Sequence, residues 1–127
     1  MKIVIAGAGV IGGYLGAKLA QAGADVVLVA RGPHLRAMQE RGLRVLSPDG
    51  DFEVRPQVTA DLATVGQCDV VFLGVKAHAL TALAPTLGPL FGPDTVVVST
   101  QNGIPWWYFQ NVGGELNDLR LERVDPG

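Results

Sequence analysis

The sequence predicts an α/β fold built on a doubly wound, mainly parallel sheet with helices on both faces. Three observations carry that expectation. Short β-branched, apolar runs recur along the chain, KIVIA at the start, then DVVLVA, DVVFLGV and TVVVS, the composition of strands buried on both faces. The first two runs are separated by a glycine-rich turn and a segment with helical spacing, which spells a β-α-β unit and therefore parallel pairing. Finally, 127 residues with 48% hydrophobic content suit one packed domain spanning 1–127.

The elements follow in order. Lys2 to Ala6 is the first strand and ends abruptly in glycine. Val10 to Ala22 is a helix, with Ile11, Leu15, Leu19 and Ala22 spaced for one face and Gly23 placed where a helix terminus takes a left-handed residue. Asp25 to Ala30 is the second strand. His34 to Arg41 has helical propensity and stops at Gly42, after which Leu43 to Leu46 and Phe52 to Arg55 flank Pro48-Asp49-Gly50 as a hairpin. Asp61 caps a brief helical turn through Val65. Asp69 to Val75 is a further buried strand, followed by a helix from about Ala77 to Leu87 that Pro85 shortens or kinks. Thr95 to Ser99 is a last buried strand after the turn Gly92-Pro93-Asp94. Beyond it the pattern weakens.

Gly7-Ala8-Gly9-Val10-Ile11-Gly12 matches G-x-G-x-x-G and stands between a predicted strand and a predicted helix, the context in which that pattern binds a dinucleotide in a Rossmann-type fold. Gly7 permits the tight turn, Gly9 lets a pyrophosphate approach the backbone, and Gly12 lets helix and strand pack closely. The helix N-terminus adds free N–H groups and positive dipole. A glycine-rich turn without ligand is the plainer reading. About 20 residues on, where an acidic side chain would take the ribose 2′-hydroxyl of NAD, the chain carries Arg31. A guanidinium there clamps a 2′-phosphate by charge-assisted hydrogen bonds, which points to NADP; the alternative is a solvated charge opening a loop. Arg36 is a weaker second cation.

Ligands of open parallel sheets bind outside the carboxyl ends of the strands. Lys76 closes the strand Asp69 to Val75, and Asn102 follows the strand Thr95 to Ser99, so both are assigned to the same crevice, Asn102 as donor and acceptor for cofactor or substrate. The plainer readings are a solvated side chain for Lys76 and an Asn-Gly turn for Asn102. His34 and His78 have no sequence neighbour arranged to orient them for proton transfer. Cys68, the lone cysteine just before a strand, reads as a small core residue. No metal-ligand spacing is visible. The aromatic stretch Trp106-Trp107-Tyr108-Phe109 reads as packing, or as a surface for a second domain or a homo-oligomer.

Ten basic and twelve acidic residues give a net charge of −2 with no basic tract, which argues against nucleic acid and anionic membranes as partners. The apolar start is too short for a signal peptide, and no apolar run is long enough to span a bilayer. A cytoplasmic setting is expected.

The stretches KIVIAGAGVIGGYLGAKLAQAG, VLVARG, GVKAHAL and QNGIPWWYF resemble the N-terminal domain of ketopantoate reductases (2-dehydropantoate 2-reductases), over nearly the whole chain. The resemblance implies that the glycine turn holds the NADPH pyrophosphate, that Arg31 contacts the 2′-phosphate, that Lys76 and Asn102 contact cofactor, and that Asn102 also touches the 2-oxo acid substrate. The implied reaction is reduction of 2-dehydropantoate to pantoate in the route to pantothenate and coenzyme A. Members of that family continue into a helical domain that supplies the catalytic lysine and the acidic residue for the substrate diol, whereas this sequence stops at Gly127. No catalytic residue is therefore assigned, and a chain of this extent is expected to bind cofactor without turnover. Another NADP-dependent 2-oxo or 3-hydroxy acid oxidoreductase and a free-standing nucleotide-sensing module are the rival readings.

Overall fold

The computed structural model describes residues 1–105 and 107–123. Strand β1 (Lys2–Ala6) lies at the centre of a five-stranded sheet, flanked by β2 (Asp25–Val29) and β6 (Cys68–Leu73), with β5 (Gln57–Thr59) and β7 (Phe91–Ser99) at the edges. Every pairing in this sheet is parallel. Within each apolar run, alternate residues serve opposite faces. Ile3, Ile5, Val26 and Leu28 pack on one side against Leu15 and Leu19 of α1 (Val10–Gln21) and Met38 of α2 (Gly32–Arg41). Val4, Ala6, Val27, Val29 and Val71 pack on the other against Leu62, Val65, Leu83, Leu87 and Leu90. Unbroken hydrophobicity in the strands thus builds two cores, one under each helical layer.

α1 departs from the expected face. Leu15 and Leu19 do pack on the core, but Ile11 is 59% exposed and Ala22 lies at the surface. The buried residues are Gly12, Gly13, Gly16 and Ala17. Absent side chains explain this: a Cβ on Gly12 would fall on the Gly7 carbonyl oxygen, and one on Gly16 would fall on the terminal methyl of Leu28. The helix therefore touches the sheet through its backbone, a contact that hydrophobic spacing does not reveal. Gly23, at φ +85, closes the helix in the left-handed conformation expected of it.

After α2 in the chain, β3 (Leu43–Val45) and β4 (Phe52–Val54) form the expected hairpin as a separate antiparallel pair that packs on α1. β5 was not expected; its three residues follow Pro56 and pair with the end of β2, a register that local sequence does not encode. Asp61 caps the short turn Leu62–Thr64 by accepting the Ala63 N–H at 2.9 Å. β6 ends at Leu73, two residues before the expected Val75, and the Gly74 N–H makes its last ladder bond to β1, donating to the Ala6 carbonyl at 3.0 Å. The expected helix from Ala77 to Leu87 is broken into 3₁₀ turns around one α-turn, α3 (Leu80–Leu83), with further turns at Ala84–Thr86 and Gly88–Leu90. Pro85 and Pro89 sit in those turns, and neither can donate to a helical ladder.

β7 was expected to be buried from Thr95 to Ser99. It starts earlier, at Phe91, and Val96 and Val97, on opposite faces, are 56% and 46% exposed, because among the described residues β6 is the one element that β7 meets extensively and neither of its faces is well covered. Its register jumps from Cys68↔Phe91 to Val70↔Val96, so Gly92-Pro93-Asp94 forms a bulge. Thr95 pins the bulge: its hydroxyl donates to the Cys68 carbonyl at 2.6 Å and accepts the Gly92 N–H at 2.8 Å. Of the aromatic segment, Trp106 lies outside the described residues; Trp107 is half-buried, and Tyr108 and Phe109 meet edge to face at 5.0 Å within a turn.

Candidate functional site

The glycine turn is built where β1 runs out. Gly7 holds φ +109, and a Cβ there would press on the Val75 side chain and backbone. Gly74, not singled out from the sequence, is equally constrained, since its Cβ would fall on the Gly7 carbonyl oxygen. Gly9 differs from its neighbours. Its backbone is extended, at φ −72 and ψ −163, and a Cβ would meet nothing within 4 Å. No protein atom requires glycine at that position, which leaves space for a group from outside the fold. Gly9 is also the N-cap of α1, with no side-chain cap and no acidic residue in the first turn, so the first amides of the helix keep their positive end open.

A cleft of about 290 Å³ opens beside the turn, lined by Gly7, Ala8 and Gly9, by Val29, Ala30 and Arg31 at the end of β2, by His34, and by Val75, Ala79, Ala82 and Leu83. It lies at the carboxyl ends of β1, β2 and β6, the position expected of a ligand site in a parallel sheet. Its walls are mostly apolar, with Arg31 as the cation. Arg31 is the exposed N-cap of α2 and enters no salt bridge among the described residues.

The remaining sequence-assigned residues divide. Val10 and Ile11 are exposed on the first turn of α1, at 88% and 59%, and Gly12 lies beneath the turn; none of the three lines the cleft. What Val10 and Ile11 offer a ligand is their backbone at the helix N-terminus. Lys76 is exposed and directly follows Val75 of the cleft wall. Asn102 is exposed in a turn beyond β7. The segment before it is fastened to the end of β6, with the Thr100 hydroxyl donating to the Leu73 carbonyl at 2.8 Å and the Gln101 amide donating to the Val75 carbonyl at 3.3 Å. Lys76 and Asn102 thus belong to neighbouring segments at one edge of the cleft without forming its wall.

His34 is the residue that sequence reasoning undervalued. Its Nε2 lies 2.9 Å from the Ala8 carbonyl oxygen of the glycine turn, a contact between positions 26 apart that no local pattern signals. His78, in contrast, is exposed and off the cleft wall. Cys68 has the core role expected of it: it is buried, its thiol faces the Leu90 carbonyl at 3.5 Å, and burial raises its pKa. Among the described residues no cluster of His, Cys, Asp and Glu could hold a metal, and no helix is long and apolar enough to cross a membrane.

A family model described as "Ketopantoate reductase PanE/ApbA" matches residues 3–105. The chain belongs to this family. Over 129 aligned residues it is 52% identical to 2-dehydropantoate 2-reductase of Mesorhizobium japonicum, covering 100% of this chain and 39% of that one. A structure assigned to ketopantoate reductase from Ralstonia solanacearum MolK2 superposes with a TM-score of 0.89 at 46% identity, over 98% of this chain and 39% of that one. The ternary structure of D-mandelate dehydrogenase with NADH and anilino(oxo)acetate superposes at 0.76 with 30% identity, over 83% of this chain and 35% of that one. This ketopantoate reductase family chain therefore spans less than half the length of the relatives it matches.

Proposed function

We propose that residues 1–127 form the dinucleotide-binding domain of an NADP-dependent 2-dehydropantoate 2-reductase, which reduces the 2-oxo acid 2-dehydropantoate to pantoate. The observation that carries this reading is the empty Cβ position of Gly9 in the wall of a cleft that Arg31 also lines. A pyrophosphate fits the first and a 2′-phosphate the second.

In this reading the amides at the start of α1 hold the pyrophosphate, since they are free of helical partners and carry the positive end of the dipole. Arg31 holds the 2′-phosphate, assisted by the N-terminus of α2, whose first turn contains no acidic residue. The apolar wall at Val75, Ala79, Ala82 and Leu83 excludes water from the bound dinucleotide. Lys76 and Asn102, at the edge of that wall, orient the nicotinamide ribose and the substrate. When bound, NADPH supplies the hydride that reduces the ketone. The one imidazole of the cleft faces the Ala8 carbonyl, so the acid that protonates the developing alkoxide is assigned to residues outside this cleft.

A second reading has a specific observation in its favour: the related D-mandelate dehydrogenase structure holds NADH, and a family member acting on a different 2-oxo acid would share this cleft. The protein as its gene encodes it, assayed by NADPH consumption, separates the two. Rapid consumption with 2-dehydropantoate and slow consumption with the aromatic 2-oxo acid of mandelate supports the first; the reverse order, or a preference for NADH, supports the second.

A further inference from the structure

The glycine turn of this chain does not hold its shape alone. Gly7 sits at φ +109, and Gly9 has no side chain and no neighbour that a Cβ would touch. Between them Ala8 is 97% buried, being 3% exposed, and its peptide groups are tied on both sides. The Ala8 N–H donates to the Val29 carbonyl at 2.9 Å, and the Ala8 carbonyl lies 2.9 Å from His34 Nε2. Because a carbonyl only accepts, His34 must donate from Nε2. A trans peptide sets the carbonyl of one residue opposite the N–H of the next, so holding the Ala8 carbonyl also fixes the direction of the Gly9 N–H. His34 stands three residues after Arg31, on the first turn of α2, and both line the cleft.

We propose that His34 is a positioning residue of the dinucleotide site: by donating from Nε2 to the Ala8 carbonyl it sets the orientation of the Ala8–Gly9 peptide and ties the pyrophosphate-binding turn to the helix end that carries Arg31. This inference rests on the cofactor reading above and deepens it. It assigns His34 a role shared by both nicotinamide cofactors, since the pyrophosphate is common to them, whereas Arg31 serves only the phosphorylated one.

The test is titration of NADPH and NADH into the protein and its His34→Leu and His34→Gln variants, with thermal unfolding as the check on folding. A neutral hydrogen bond of this kind corresponds to roughly a 3- to 10-fold effect. His34→Leu should weaken both cofactors by that factor, and His34→Gln, whose amide reaches as far and also donates, should return affinity to within about twofold. His34→Ala replaces the leucine variant if the latter unfolds, as α2 tolerates alanine well. Wild-type affinity in the leucine or alanine variant overturns the proposal, and so does a glutamine variant as weak as leucine, because the donated hydrogen bond would then not be the cause. If Arg31→Ala loses NADPH selectively while His34→Leu loses nothing, this inference alone fails; if the unmutated protein binds neither cofactor, the cofactor reading fails with it.

Discussion

Two glycines of one hexapeptide should separate folding from ligand binding. Gly12→Ala places a methyl group on the Gly7 carbonyl oxygen and 3.0 Å from Ile5 Cγ2. Neither neighbour yields readily, since the carbonyl belongs to a residue held at positive φ and Ile5 is fully buried. Alanine gains about 0.5–1 kcal/mol over glycine inside a helix, but overpacking of a rigid contact costs about 1–3 kcal/mol or more. With the methyl on a backbone oxygen the upper end of that cost applies, so the net loss should be about 2 kcal/mol or more, a fall in Tm of roughly 6–10 °C for a domain of this size. Gly9→Val should do the opposite. Its Cβ meets nothing within 4 Å, and φ −72 with ψ −163 suits a β-branched residue. The cost is the poorer N-cap, about 1 kcal/mol at most. Yet the new side chain occupies the space assigned to the pyrophosphate, so NADPH binding should vanish. Thermal unfolding followed by circular dichroism reads the first effect and NADPH titration reads the second. A Gly9→Val variant that binds NADPH normally, or a Gly12→Ala variant as stable as the parent, would refute the division of roles.

Arg31→Ala should weaken NADPH by roughly 10- to 150-fold, the equivalent of about 1.5–3 kcal/mol for a charge-assisted contact, and leave NADH within about twofold; equal losses would remove the 2′-phosphate assignment. Thr95→Val removes the hydroxyl that bridges Gly92 and Cys68 and should cost about 1–3 kcal/mol in chemical denaturation by leaving part-buried backbone groups unpaired, with no change in cofactor affinity. Cys68 should resist alkylation at about pH 8 in the native protein and react quickly in denaturant, because burial raises its thiol pKa. The sign for stability follows: the folded state keeps the proton to higher pH than the unfolded one, so the contribution is full below the unfolded thiol pKa of about 8.5 and is lost as pH rises through the folded value. An unfolding free energy that rises across that range in the wild type but not in Cys68→Ala would contradict it.

What the sequence made legible was local. KIVIA and DVVLVA declare buried strands by composition, Asp61 and Gly23 declare caps by residue type, and G-x-G-x-x-G declares its turn because it stands between strand and helix. What it hid was set by distant contacts or by missing atoms. α1 buries Gly12 and Gly16 rather than Ile11 because closeness to the sheet, not hydrophobic spacing, decides which face goes inward. β5 exists because the end of β2 pairs with it, and three residues are too few for a period to show. β7 looks buried from composition, yet Val96 and Val97 are exposed, because composition does not say whether other elements cover a strand's two faces. At the site, Arg31 could be found by counting from the glycines, whereas His34 needed the fold to bring α2 against the turn. Its place three residues after Arg31 was the one available signal.

The proposed role of the cleft lined by the glycine turn and Arg31 is to bind a nicotinamide dinucleotide and select the phosphorylated form. Parallel titration of NADPH and NADH into the protein at one fixed ionic strength, followed by tryptophan fluorescence or calorimetry, tests it most directly. Saturable binding of both is expected, with a clear preference for NADPH that Arg31→Ala abolishes. Tighter binding of NADH, or binding of neither, would contradict it.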